Sequence, residues 1–186
     1  MSPTLTLGID TSTDVRVGLA DGAGVLASRA VTDSRAHAEQ LMPLVNATLA
    51  EAGRTLHDLG LIVVGVGPGP FTGLRVGVVT AQTLGFALGV PVRGVCSLDA
   101  VAAGHLVAGN PGGEFLAVSD AQRREVDWAR YDTDGRRVEG PAVSPASELL
   151  ELPVVGPGAG LAGGTPSPLD GGILALDGAE LPGVGL

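Results

Sequence analysis

The sequence predicts an α/β fold built around a mixed β-sheet. Several short β-forming segments near the N-terminus are separated by turn residues, as in a strand meander. Further along, the apolar run at 61–66 (LIVVGV) is typical of a buried strand, and a Gly/Pro turn and a long apolar helix follow it. Strand, turn and helix in that order form the start of a parallel crossover unit. Aromatic residues make up only 3% of the chain, so the core must consist of Val, Leu and Ala.

The N-terminal strands follow a specific order. Segments 4–10, 15–20 and 25–30 read as three strands, and Asp21-Gly22-Ala23-Gly24 forms the hairpin turn between the last two. A helix and the strand at 61 come next. This order resembles the opening of an actin/hexokinase-like half-domain, and that resemblance implies that the first hairpin faces a nucleotide phosphate.

That first hairpin contains the candidate nucleotide-binding residues Asp10, Thr11, Ser12 and Thr13. Asp10 could hold a magnesium-bound water, and the three hydroxyl groups could bond a phosphate. Alternatively, Asp10 and Thr11 merely cap the strand and close the turn. The residues alone leave both interpretations open, and we predict no cofactor.

The first helix is predicted at 39–52. Its apolar positions recur at helical spacing, and they are Leu41, Leu44, Val45, Thr48, Leu49 and Ala52. Pro43 requires the helix to start near Glu39 or to bend there, because its ring clashes with the carbonyl four residues earlier. Gly53 ends the helix.

The central helix is predicted at 72–88, with Thr72 as its N-cap. It carries two apolar stripes on roughly opposite sides. The first contains Leu74, Gly77, Val78, Ala81, Gly85 and Leu88, and the second contains Val76, Val79, Thr83 and Phe86. Because the helix's own sheet can cover only one stripe, we expect the other to meet another helix, either of this chain or of a second one.

The small residues Gly77, Ala81 and Gly85 are predicted to set a close approach to a partner chain. We predict that the first helix and the central helix form half of a four-helix contact. The matching pair of helices belongs to the partner or to a second copy of this chain. The residues predicted for this contact are Leu41, Leu44, Val45, Thr48, Thr72, Leu74, Gly77, Val78, Ala81 and Gly85.

The turn GPGPFTG before the central helix also invites a phosphate-loop interpretation. The Walker pattern needs a lysine followed by Ser or Thr. The chain has eleven basic residues, all of them arginine. A tight turn before a buried helix is therefore favoured.

The rest of the chain predicts a second, smaller half-domain. A strand at 92–95 and a helix from Ser97 to about residue 108 complete the first, so the predicted domains are 1–108 and 109–186. Strands follow at 115–119 and 125–131, then a helix at 144–152 and a last strand at Val154-Val155. Residues 153–186 are rich in Gly and Pro, which predicts few regular elements and an incomplete second half-domain.

Charge and cysteine content limit the partners and the compartment. The net charge of −9 predicts weak binding to nucleic acid by the isolated chain, since phosphate contacts supply most of such affinity. The single cysteine, Cys96, excludes an internal disulfide and suits a reducing compartment. No secretory signal opens the chain, and the uncharged stretch between Arg75 and Arg93 contains several glycines and Pro91. We expect a cytoplasmic protein without a membrane span.

A metal site is not predicted. The three histidines, His37, His57 and His105, are scattered. A helical metal site needs two ligands about one turn apart, and the positions four residues from His105 are Val101 and Gly109.

Five pieces of sequence resemble the TsaB (YeaZ-like) family of tRNA threonylcarbamoyladenosine biosynthesis. They are IDTST at 9–13, HAEQLMPLV at 37–45, GVGPGPFTGLRVG at 65–77, GVCSLDAVA at 94–102 and SDAQRREVDWARY at 119–131. They occur in order over nearly all of residues 5–131, and GPGPFTGLR is fairly specific.

The resemblance implies an actin/hexokinase-like (ASKHA) fold with ribonuclease H-like half-domains. It implies a non-catalytic scaffold that docks through its first two helices on a TsaD-type catalytic paralogue and activates it. A TsaE-type ATPase joins the complex, and tRNA is reached only through the complex. For the chain alone, the sequence leaves a monomer and a homodimer open. In the catalytic relative a histidine pair binds a metal, whereas 97–102 here reads SLDAVA.

Two departures and two alternatives accompany the resemblance. Family members usually carry Tyr where Asp127 stands, and they usually continue with more helix where this chain has Gly/Pro-rich sequence.

One alternative function is a nucleotide-dependent phosphotransferase or ATPase of the same fold. The other is a glycoprotease-like metallopeptidase, which would need ligand histidines and a water-activating glutamate.

Overall fold

The first unit of the chain is built on a five-stranded sheet, in a computed structural model that describes residues 4–32, 37–109 and 112–164. Its strands are β1 Thr6–Asp10, β2 Val15–Asp21, β3 Gly24–Val31, β4 Leu61–Gly65 and β5 Val92–Val95. Their order across the sheet is β3-β2-β1-β4-β5. The first three strands are antiparallel neighbours, and β4 and β5 run parallel to β1.

Strand β1 lies in the middle of this sheet and is buried along its whole length. Ile9 pairs with Val17 of β2 on one side and with Val64 of β4 on the other. A central strand covered on both faces has no solvent face for polar residues. Asp10, at its end, is therefore carried into the interior by the strand itself.

Helix α1 spans His37–Glu51 and packs on β2 and β3. Leu41, Val45 and Leu49 enter the core from it. The helix begins at His37, slightly upstream of the predicted start at 39, and Pro43 lies inside it with an exposed side chain. Gly53 follows the helix at a positive φ of 64°, in agreement with its predicted role as the terminating residue.

Helix α2 spans Phe71–Leu88, and its buried residues are Gly73, Gly77, Ala81 and Gly85. A Cβ atom added to Gly77 would meet Thr11 of the loop after β1, and one added to Gly85 would meet Val92 of β5. Gly77, Ala81 and Gly85, which we call the small stripe, thus lie against the chain's own sheet. The prediction that Gly77, Ala81 and Gly85 face a partner is wrong, because these residues let α2 approach its own strands.

The ends of α2 also differ in part from expectation. The N-cap position is Pro70, with no side-chain hydrogen bond to the helix, so Thr72 does not cap it. The C-terminal end is as predicted, and Gly89 ends the helix in the left-handed conformation. Among the described helices, α2 alone has the length and hydropathy of a membrane span. Its contacts with β1, β4 and β5 are those of a helix packed within a domain.

The second unit begins at Leu98, so α3 (Ser97–Val107) falls almost entirely in it rather than in the predicted domain 1–108. Its four strands are β6 Phe115–Gln122, β7 Glu125–Tyr131, β8 Arg137–Pro145 and β9 Val154–Val155. Their order is β8-β7-β6-β9, with β9 parallel to β6. Leu116, Val118, Val126 and Ala159 form the centre of its core.

The predicted helix at 144–152 is wrong. Strand β8, which was not predicted, runs through Ser144 and Pro145, and only a single 3₁₀ turn at Ala146–Glu148 follows. Ser144 pairs with Val126 of β7 at the edge of the sheet. An edge strand tolerates proline, since its outer N–H groups need no partner strand.

The two sheets repeat one strand order. The meander β6-β7-β8 with parallel β9 matches the meander β1-β2-β3 with parallel β4. This repetition confirms the predicted actin/hexokinase-like α/β fold. Within residues 112–164 the second sheet has no counterpart of β5, and the remainder of the Gly/Pro-rich segment, 165–186, lies outside the described residues.

Candidate functional site

The loop that follows β1 gathers polar groups from distant parts of the first unit. Asp10 is fully buried, with 0% of its surface exposed. Its Oδ1 accepts hydrogen bonds from the backbone N–H of Ser12 at 2.7 Å and from the Ser12 hydroxyl at 2.5 Å. Its Oδ2 accepts one from the Ser97 hydroxyl at 2.6 Å. Both carboxylate oxygens are therefore bonded within the chain.

The electrostatics of Asp10 are dominated by burial. Loss of solvent raises the pKa of this carboxyl group above its ordinary value, although the hydrogen bonds from Ser12 and Ser97 and the charge of Arg16 act to lower it. Burial therefore favours the neutral carboxyl form of Asp10, whereas the hydrogen bonds from the serine hydroxyls favour the ionised carboxylate.

Thr11 links the same loop to α2. Its hydroxyl donates to the backbone carbonyl of Gly73 at 2.8 Å, in the first turn of that helix. A carbonyl in the first turn still has an acceptor lone pair available, so this bond fixes the helix start to the strand end. We call Asp10, Thr11, Ser12 and Ser97 the Asp10 cluster.

Two glycines leave just enough room for the Asp10 cluster. A Cβ atom at Gly65, the last residue of β4, would overlap the Asp10 carboxylate. One at Gly69, in the GPGP turn, would lie 2.9 Å from Ser12 Cα. Real Cβ atoms do not come so close to backbone atoms. The GPGP turn therefore packs against the loop after β1 at a distance that only glycine allows.

The nucleotide candidates can now be placed. The structure brings Asp10, Thr11 and Ser12 together, and all three are buried, while Thr13 beside them is half-buried. Thr13 Oγ1 has no hydrogen-bond partner among the described residues. A magnesium-bound water would need an accessible oxygen on Asp10, and both oxygens are engaged by serine hydroxyls. This geometry favours the alternative in which the residues close the strand end.

The predicted partner residues fall into two groups. Buried in the chain's own core are Leu41, Val45, Thr48, Gly77, Ala81 and Gly85. Leu44, Leu74 and Val78 are half-buried, and Thr72 is exposed. The buried group cannot touch a partner without rearrangement of the fold, since α1 and α2 use it to cover the sheet.

A different face of α2 is open. Phe71 is 73% exposed, Val79 56% and Phe86 92%. The Arg75 guanidinium lies 5.4 Å from the centre of the Phe71 ring. These four residues recur at helical spacing and form what we call the outer face of α2. The sequence already placed Val79 and Phe86 on the second stripe, but Phe71 was assigned to the turn.

The second unit holds one further buried acid and one network around α3. Burial raises the pKa of Asp127, and the nearby charge of Asp120 adds to the shift. The Tyr131 hydroxyl donates to Asp99 at 2.7 Å, and Arg137 pairs with the same carboxylate at 3.3 Å. Within the described ranges, no three His, Cys, Asp or Glu side chains come together as metal ligands would.

Comparison with known proteins identifies the family. A family model described as TsaD, tRNA N6-adenosine threonylcarbamoyltransferase, matches residues 22–164. The solved structure of YeaZ from Pseudomonas aeruginosa is 30% identical, with a TM-score of 0.74 over 88% of this chain and 81% of that one. The chain belongs to the TsaB (YeaZ-like) family. The predicted resemblance is thereby confirmed.

Relatives known by sequence agree with this family. A protein of Mycobacterium tuberculosis described as uncharacterized is 51% identical over 146 residues, which are 77% of this chain and 66% of the relative. The Escherichia coli protein named tRNA threonylcarbamoyladenosine biosynthesis protein TsaB is 34% identical over 128 residues, 69% of this chain and 55% of that protein. The matched part thus spans between half and two thirds of the length of these family members.

Proposed function

We propose that this chain is a non-catalytic subunit that binds a TsaD-type enzyme and activates it in threonylcarbamoylation of the adenosine next to the tRNA anticodon. Membership of the TsaB family supports this function, as does the name of the Escherichia coli relative. A TsaE-type ATPase joins through the complex, and the site of action is the cytoplasm.

The observation that carries the proposal is the outer face of α2. The chain contains three phenylalanines, and two of them, Phe71 and Phe86, are exposed on this one helix. The third, Phe115, is buried. Exposed aromatic residues on one face of a rigid, well-anchored element are typical of a protein interface.

The state of the Asp10 cluster supports a non-catalytic role. A catalytic acid, base or metal ligand must reach the substrate. Asp10 and Thr11 are instead buried and bonded to Ser12, Ser97 and Gly73. The position where the fold would hold a phosphate therefore holds internal hydrogen bonds.

The test is a reconstituted reaction with a TsaD-type enzyme, a TsaE-type ATPase, a threonylcarbamoyl donor and unmodified tRNA. We expect the modification rate to depend on this chain. Phe86→Asp should weaken binding to the TsaD-type enzyme ten- to a hundredfold, the equivalent of about 1–3 kcal/mol. Val107→Asp, at an exposed apolar residue of α3, is the control and should leave affinity and rate unchanged.

Two further measurements complete the test. Sedimentation of the chain alone should show a homodimer that Phe86→Asp converts to monomer, if the outer face of α2 also pairs with a second copy. Titration with Mg-ATP should show no binding. A reaction that runs equally well without this chain would contradict the proposal, and tight Mg-ATP binding would favour a phosphotransferase or ATPase.

A further inference from the structure

The tip of the β6–β7 hairpin has an unusual backbone. Gln122, Arg123 and Arg124 have φ angles of 69°, 55° and 68°. Gln122 pairs with Glu125, so Arg123 and Arg124 are the two central residues of a two-residue turn. Positive φ at both central positions is the requirement of a type I′ turn, which normally takes Asn-Gly or Asp-Gly.

Elsewhere the chain places glycine at positions with a positive φ, so arginine at this turn needs a separate explanation. The chain contains 30 glycines. Outside this tip, every described residue with a positive φ is a glycine. An L-residue with a long side chain is disfavoured in the left-handed region, where its Cβ crowds the following carbonyl. Arginine at both turn positions indicates that the side chains are needed at this place.

The surrounding structure holds the tip in this conformation. Asp120 Oδ1 accepts a hydrogen bond from the Gln122 N–H at 2.7 Å, and the Ala146 N–H donates to the Arg124 carbonyl at 3.3 Å. A β-bulge between Asp120 and Gln122 adds to the turn. Backbone strain that is fixed from several sides in this way is typical of functional positions.

The two guanidinium groups are also available. Arg123 and Arg124 are exposed, and neither forms an ion pair with any described residue. Other arginines of the same unit are engaged, since Arg130 pairs with Glu114 and Glu139 and Arg137 pairs with Asp99. In a chain with a net charge of −9, this tip presents two adjacent positive charges, next to the acidic residues Asp120 and Glu125 of the same hairpin.

We infer that Arg123 and Arg124 contact phosphate groups of the tRNA when the chain is in its complex, an inference that rests on the proposed function. Two adjacent arginines at a hairpin tip, flanked by Gln122 and Glu125, offer positive charge in a solvent-exposed position. Phosphate contacts are of this solvent-exposed kind, whereas protein hot spots need a dry apolar environment. Only two such contacts also agree with weak tRNA binding by the acidic chain alone.

The decisive variant is Arg123→Gly/Arg124→Gly. Glycine suits the positive φ values, so the melting temperature should hold or rise while the charge is lost. The affinity of the reconstituted complex for unmodified tRNA is measured over a range of salt concentrations. We expect the slope of log affinity against log salt to fall in magnitude by about 1 to 2, and affinity to fall with it.

Arg54→Gln/Arg93→Gln is the matched control, because it removes the same charge from two exposed residues of the first unit. It should leave the salt slope unchanged. Equal slopes for the glycine variant and the wild type would overturn the inference. Loss of affinity for the TsaD-type enzyme with unchanged tRNA affinity would also overturn it, because the tip would then contact protein.

Failure of the proposed function gives a separate result. If the wild-type chain does not bind a TsaD-type enzyme, the same variants are compared as isolated chains with tRNA at about 50 mM salt, where phosphate contacts are strong. Weaker binding by the glycine variant than by the control still supports a phosphate contact. No difference between them, or no binding at all, overturns it.

Discussion

The hydroxyl of Ser97 donates a hydrogen bond to Oδ2 of Asp10 at 2.6 Å, although the two residues lie 87 positions apart. This bond joins the end of β1 to Ser97, the last residue of the first unit. Because Ser12 occupies Oδ1, the carboxyl group has donors on both oxygens in the interior. The stability of the first unit should therefore depend on a group that the fold fully desolvates.

Removal of the Ser97 hydroxyl should be costly. Ser97→Ala leaves Oδ2 of Asp10 buried without this donor, and an unsatisfied buried acceptor costs about 1–3 kcal/mol. Urea denaturation should show that loss. The control is Ser28→Ala, at an exposed residue of β3, which should change stability by no more than about 0.5 kcal/mol. Equal stabilities for the two variants would contradict the role of the bond.

The pH dependence of stability should carry the signature of Asp10. Its pKa is raised in the folded state from an ordinary value of 3.8. Between 3.8 and the folded pKa, the unfolded chain has lost a proton that the folded chain keeps. Stability therefore falls as pH rises through this window and stays reduced above it. The stability of the wild type relative to Asp10→Asn should fall over the same window.

Asp58 provides a control of opposite sign. Hydrogen bonds from the N–H and hydroxyl of Thr55 lower the pKa of this exposed carboxyl group. Its contribution is present above the ordinary pKa of 3.8 and is lost as pH falls through the folded value. Relative to Asp58→Asn, the wild type should therefore gain stability as pH rises. Denaturation curves from about pH 3 upward measure both pairs, and parallel trends would refute the assignment.

The two faces of α2 should respond differently to the same substitution. Ala81→Trp places a large ring between α2 and its own sheet, where overpacking costs about 1–3 kcal/mol or more. The melting temperature should fall, with unchanged partner affinity per folded molecule. Val79→Trp, on the outer face, should leave the melting temperature unchanged and weaken partner binding. A partner defect in Ala81→Trp without loss of stability would restore the original assignment of the small stripe.

Metal removal should have no effect on the chain. No group of three His, Cys, Asp or Glu ligands occurs in the described part of the sequence. Dialysis against EDTA should therefore leave the melting temperature and binding to the TsaD-type enzyme unchanged. Elemental analysis that finds one tightly held zinc or iron per chain would contradict this expectation.

Most of the strands could be predicted from local sequence. The apolar runs and the Gly/Pro turns around them set β5 and β7 at their observed bounds, Val92–Val95 and Glu125–Tyr131. Strand β8 was missed because Gly140, Pro141 and Pro145 remove the local strand signal. Its pairing with β7 is a tertiary effect, which no short window of sequence records.

The candidate site was less accessible to prediction than the strands. Residues 10–13 were found as a group, but the donor that closes the Asp10 cluster is Ser97, far away in the sequence. Likewise, both stripes of α2 are apolar, so periodicity could not say which one faces the sheet. The contacts of Gly77 with Thr11 and of Gly85 with Val92 decide it.

The small stripe of α2 has a consequence for how the family can change. The inner side of this helix holds it in the fold, where three glycines and one alanine are buried and four larger residues pack against the core, namely Val76, Val78, Leu84 and Leu88. Its place in the fold therefore does not depend on the outer face. Mutations at Phe71, Val79 or Phe86 can then accumulate without loss of folding. A gene duplicate could in this way exchange one binding partner for another while the interior of the protein is inherited unchanged.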